Sequence, residues 1–69
     1  MPTINNAKIK NVNQMMYRYF QNANKRSKNQ IEQNVELFVI NEALAENLIE
    51  FCEASETYRI TEKGKKFLH

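Results

Sequence analysis

Tyr58-Arg59-Ile60-Thr61-Glu62-Lys63-Gly64-Lys65-Lys66-Phe67-Leu68-His69 is the stretch on which the fold turns. Tyr58 and Ile60 fall on one side of a period-2 segment and Thr57, Arg59 and Thr61 on the other, the pattern of a strand with one apolar face. Thr61 has the chemistry of a helix N-cap, and Glu62 puts a negative charge in the first turn, where the helix dipole favours it. Phe67 and Leu68 are expected to return an apolar end to the core. The segment thus predicts a strand that hands over directly to a short capped helix.

Working upstream, Leu48 to Cys52 reads as an earlier strand, and Glu53 to Glu56 as the turn joining it to Thr57–Thr61. That turn has neither Gly nor Asn, so it does not specify a hairpin register. Leu37, Ile40, Leu44 and Leu48 keep a helical spacing, although Leu37-Phe38-Val39-Ile40 is apolar on every side. We read a third helix ending near Glu46, with Asn47 in the left-handed position more often filled by Gly. Ser27 is the N-cap of a second helix, Gln30 completes a capping box, and Ile31, Val35 and Phe38 form its buried stripe. Earlier still, Val12, Met15, Met16, Tyr19 and Phe20 recur at the spacing of one stripe of an amphipathic helix over residues 10–22, closed by Asn22-Ala23-Asn24. The methionine pair at this spacing is core filler. Residues 1–9 show no period and are expected to form a flexible arm, leaving 10–69 as a single domain.

A chain of 69 residues buries only ~60% of the surface its unfolded form exposes, so dimerisation or very efficient packing is expected. One Cys excludes an intramolecular disulfide and fits a reducing compartment. No apolar run reaches the ~20 residues of a membrane span, and no signal-peptide core is present, so the expected location is cytoplasmic. The net charge of +2 hides a segregated pattern. Residues 1–28 carry six positive charges and no acid, residues 29–57 carry seven Glu and no Lys or Arg, and the remainder is again basic.

Leu44-Ala45-Glu46-Asn47-Leu48-Ile49-Glu50, a short hairpin, and Tyr58 to Leu68 together resemble winged-helix transcriptional regulators. The likeness is to small archaeal, plasmid and phage proteins whose third helix runs into a Gly-Leu-Ile strand and whose second wing strand ends in Tyr-x-Ile-Thr-x-Lys-Gly. The resemblance covers residues 44–68. It implies a mainly α fold with a small antiparallel β-hairpin: a three-helix core, a two-stranded wing and a short C-terminal helix. It also implies a third helix in the major groove and a wing along the backbone. Winged helices serve as protein-docking modules too. This chain departs from the pattern at Asn47, where Gly is expected, and in the short span before it. The third helix carries Glu36, Glu42 and Glu46 without a basic residue, and the wing tip carries Glu53 and Glu56. A duplex presents one negative charge per ~1.7 Å, which repels such a helix. The family's recognition residues are therefore not carried over to it.

Catalysis has little to build on. The only His is His69, and Cys52, without a His partner, reads as a small buried apolar group. No Cys/His spacing suits zinc, and a single Gly excludes a Gly-rich phosphate loop. Glu42, Glu46 and Glu50 read as a solvated face. The expectation is no enzyme, no cofactor, no metal and no small-molecule substrate. One reading is binding of double-stranded DNA through a non-standard surface. Arg18, Lys25, Arg26, Lys28, Lys63, Lys65 and Lys66 would neutralise phosphates, while Asn29 and Gln30 can pair with adenine edges. The plainer role of those lysines is solubility. The other reading is a protein-interaction module, as a homodimer or on a basic partner, using Leu37, Phe38, Val39 and Ile40. The DNA reading requires the two lysine-bearing segments to meet in space.

Overall fold

A computed structural model describes residues 8–68. Helix α1 (Val12–Met15) starts at Asn11, whose Oδ1 accepts from the Asn13 N–H at 2.7 Å and the Gln14 N–H at 3.4 Å. It widens into a π-helical segment, Met16–Phe20, that buries Met16, Tyr19 and Phe20 beside Met15 and leaves Tyr17 and Arg18 in solvent. The apolar stripe over residues 10–22 therefore does what its spacing predicts.

Lys25–Ser27 then forms a strand, β1, where only a loop and a helix cap were expected. It pairs antiparallel with a strand more than thirty residues downstream, Lys25 opposite Arg59 and Ser27 opposite Thr57. The Asn24 carbonyl accepts from Ile60 N–H and the Glu56 carbonyl from Lys28 N–H, both at 2.9 Å, one at each end of the ladder. The hairpin expected as a two-stranded wing is thus part of a three-stranded sheet.

Helix α2 (Lys28–Asn34) begins as the Ser27 signal predicts, the Ser27 hydroxyl accepting from Gln30 N–H at 3.1 Å. It ends at Val35, which leaves the helix at φ −131°, ψ 139° and forms a parallel bridge with Ile9. Ile9 N–H donates to the Asn34 carbonyl and Glu36 N–H to the Ile9 carbonyl, each at 2.9 Å. Of the expected flexible arm, Ile9 is held in this way, and residues 1–7 lie outside the described residues. Helix α3 (Leu37–Ala45) restarts two residues after α2 in a new phase. Phe38, expected on the buried stripe of the second helix, and Leu37, expected on that of the third, are 56% and 62% exposed. Val39, Ile40 and Ala43 are the buried residues of α3.

The end of α3 is a Schellman motif: Leu48 N–H donates to the Ala43 carbonyl and Asn47 N–H to the Leu44 carbonyl, both at 3.0 Å, with Asn47 at φ 62°. Strands β2 (Ile49–Cys52) and β3 (Thr57–Ile60) follow as the predicted hairpin, its tip closed by Glu56 at φ 53°. Sheet order is β1-β3-β2, antiparallel throughout. Tyr58 and Ile60 are buried and Arg59 exposed, as the alternation predicts.

Helix α4 (Glu62–Phe67) is capped by Thr61, which accepts from Gly64 N–H at 3.0 Å, while its hydroxyl donates to the Asn47 carbonyl and its N–H donates to the Leu48 carbonyl at 3.1 Å. Gly64 is buried against that same Leu48 carbonyl. The Thr-Glu-Lys-Gly run therefore clamps α4 onto the junction of α3 and β2. Gly64 and the half-buried Leu68, four residues on, supply the inward face, which leaves Phe67 at 38% exposure rather than in the core. Met15, Met16, Ile31, Val39, Ile40, Ile49, Tyr58 and Ile60 belong to one core cluster between the helices and the inner sheet face. No helix among the described residues is long and apolar enough to cross a membrane.

Candidate nucleic-acid interface

Register sorts the sheet's side chains into two faces. Arg26, Tyr58 and Phe51 stand opposite one another on the inner face, and Lys25, Arg59 and Glu50 form a row on the outer face. Lys25 and Arg59 are both exposed and directly opposed. Cβ atoms of such pairs stand roughly 5 Å apart, and like charges at that spacing destabilise a sheet. Glu50 on the far side of Arg59 offsets part of the repulsion. Lys65 lines a surface recess with Gln21, Asn24 and Ile60, beside the start of β1. Its pair with Glu62, at 3.6 Å and largely exposed, is weak. Lys66 is exposed on the same last turn of α4. The structure sets Arg59, which sequence reasoning left out because its partner strand was not seen, opposite Lys25.

The other sequence-chosen residues lie elsewhere or are engaged. Arg26 turns inward: its Nε donates to the Tyr19 carbonyl at 2.8 Å and its guanidinium carbon lies 5.9 Å from the Tyr19 ring centroid. Lys28 pairs with Glu32 at 3.2 Å. The other Glu32 carboxylate oxygen accepts from the Tyr58 hydroxyl at 3.1 Å, and Lys8 Nζ donates to the Glu32 carbonyl at 3.2 Å. Burial, with the Glu32 carboxylate beside it, pushes the Tyr58 hydroxyl from its ordinary 10.0 up to about 12. Asn29 and Gln30 are exposed on the first turn of α2, next to Lys28 and the Glu56 end of the wing. Arg18 lines a separate recess with Ile9, Gln14 and Tyr17. Lys63 shares a different groove with Glu42 and Glu46.

The solvent face of α3 carries Leu37, Phe38, Asn41, Glu42 and Ala45, without a basic residue. Leu37-Phe38-Val39-Ile40 does not act as a unit: the first two residues are exposed and the last two fully buried. Cys52 is half-exposed on the outer sheet face rather than a buried apolar group, and hydrogen bonding by the Ser55 side chain lowers its thiol pKa. No cluster of three or more metal-ligating side chains occurs among the described residues.

Comparison with known proteins finds no matching family model, no similar curated protein and no similar solved structure.

Proposed function

We propose that this chain is a small winged-helix DNA-binding protein, a cytoplasmic transcription regulator rather than an enzyme. It meets the duplex with the outer basic row of Lys25 and Arg59, extended by Lys65 and Lys66, and not with α3. The order helix, strand, two helices joined by two residues, and hairpin is compatible with a winged helix. The observation that carries the binding reading is the opposition of Lys25 and Arg59 in the ladder. Such a pair costs stability in the free protein and gains it when a DNA phosphate neutralises each of the two charges.

The test is fluorescence anisotropy of a labelled random duplex at several NaCl concentrations. Four phosphate contacts give a log–log slope of about −3.6. Lys25→Ala with Arg59→Ala should make that slope shallower by about 1.8, and Lys28→Ala should leave it alone. No binding at low salt, or a slope indifferent to the double substitution, would remove the proposal.

A second reading, that α3 is a face for docking protein, draws support from the exposure of Leu37 at 62% and Phe38 at 56%. Large apolar side chains side by side on a face without basic residues are what an interface core requires.

A further inference from the structure

The groove that holds Lys63 runs along the far edge of α3. It has a volume of about 280 Å³ and is lined by Val12, Leu48 and Phe67, with Glu42, Glu46 and Lys63 among its charged residues. The apolar strip of α3 (Leu37, Phe38, Asn41 and Ala45) lies beside Glu42 on the same helix. Successive α-helical residues are about 100° apart, which puts Phe38 and Ala45 near the middle of the exposed face and Glu42 toward one edge. The surface thus offers, side by side, an apolar ridge, an acidic band, an apolar groove and a lysine.

We propose that this face is the interface of a homodimer, a reading that rests on α3 being a docking surface and names what docks there. A two-fold axis running along the groove, parallel to α3, lays the ridge of each protomer over the groove and α4 of its partner. Leu37 and Phe38 then cover the second copy's Val12 and Phe67, and Glu42 and Glu46 face its Lys63. The charge pattern selects a second copy over a basic partner: a uniformly basic surface would meet Lys63, whereas this mixed pattern is complementary to itself. None of the ion pairs among the described residues uses Glu42, Glu46 or Lys63, so these charges are open to a partner. Three of the five exposed large apolar side chains among the described residues, Leu37, Phe38 and Phe67, are covered by the one contact.

Sedimentation equilibrium of the full chain, from low micromolar to several hundred micromolar, tests this. Wild type should show a monomer–dimer equilibrium, and Phe38→Glu, at an exposed position, should weaken it at least about tenfold. Lys63→Glu alone and Glu42→Lys with Glu46→Lys should each self-associate poorly, while an equimolar mixture of the two variants should dimerise. That rescue occurs only if each acidic band faces the other copy's residue 63. A wild-type monomer throughout, or a dimer indifferent to these changes, overturns the proposal. NMR titration with a synthetic amphipathic Lys/Leu peptide separates the two levels. Shifts at Leu37 and Phe38 in a monomeric protein would reassign the face to a basic partner, and no shift would remove the docking reading as well.

Discussion

A methyl group on Gly64 would stand 2.7 Å from Ile60 Cγ1 and against the Leu48 carbonyl oxygen, so α4 cannot keep its seat with any larger residue there. Gly64→Ala should lower stability by about 2–3 kcal/mol, measured by urea unfolding followed by circular dichroism. Asn47 and Glu56 occupy the left-handed region, where glycine carries no Cβ penalty. Glu56→Gly should therefore raise the unfolding free energy by up to ~1 kcal/mol, and Asn47→Ala should lower it by about 1 kcal/mol. Asn47 was legible in advance because its place just past a periodic run demands a left-handed residue. Glu56 was not, because nothing in the type of residue announces that conformation. Tyr58 adds a pH dependence. The unfolded chain loses this proton near 10.0, whereas the folded protein holds it to about 12, so folding retains a proton that the unfolded state releases. The stabilisation is complete below pH 10 and disappears as pH rises through about 12. Wild type should consequently lose stability more steeply than Tyr58→Phe between these limits, as read from denaturation midpoints at stepped pH.

At the scale of elements, the same basic stretch contains both a surface charge and an anchor. Arg26 donates to the Tyr19 carbonyl at the end of the π-helical segment, and Arg26→Ala should cost about 1–2 kcal/mol. Lys25→Ala, one residue away and pointing out, should change stability by less than about 0.5 kcal/mol. Equal effects in thermal unfolding would mean that the two faces of β1 are wrongly assigned. The first helix, the Ser27 cap, the end of α3 and the hairpin all follow from local pattern. β1 does not, because its three residues are polar and the ladder that makes them a strand comes from a distant partner. The phase of α3 was hidden for a related reason. Ile9 bonds to Val35 and stops α2, and continuing the α2 stripe through that stop puts Phe38 on the wrong side.

Across the whole molecule, folding intermixes charges that are segregated along the chain: Lys28 pairs with Glu32, Glu50 stands opposite Arg59, and Lys63 shares a groove with Glu42 and Glu46. Lys25 and Arg59 stand exposed and opposed, while the α3 edge and the hairpin tip hold Glu42, Glu46, Glu53 and Glu56. The sequence pattern raised the expectation of separate basic and acidic faces. It could not tell which lysines share a face, since that depends on which way a strand and a six-residue helix point their side chains. The β1-β3-β2 order also bears on how the protein is made. During synthesis β1 leaves the ribosome long before β3, and until β3 arrives its amides have only water to bond. A nascent chain halted at the wing tip should therefore be protease-sensitive along its whole length, and full protection should come in one step once Tyr58 to Leu68 are out. Separately made halves cut at that tip should, when mixed, fold only together.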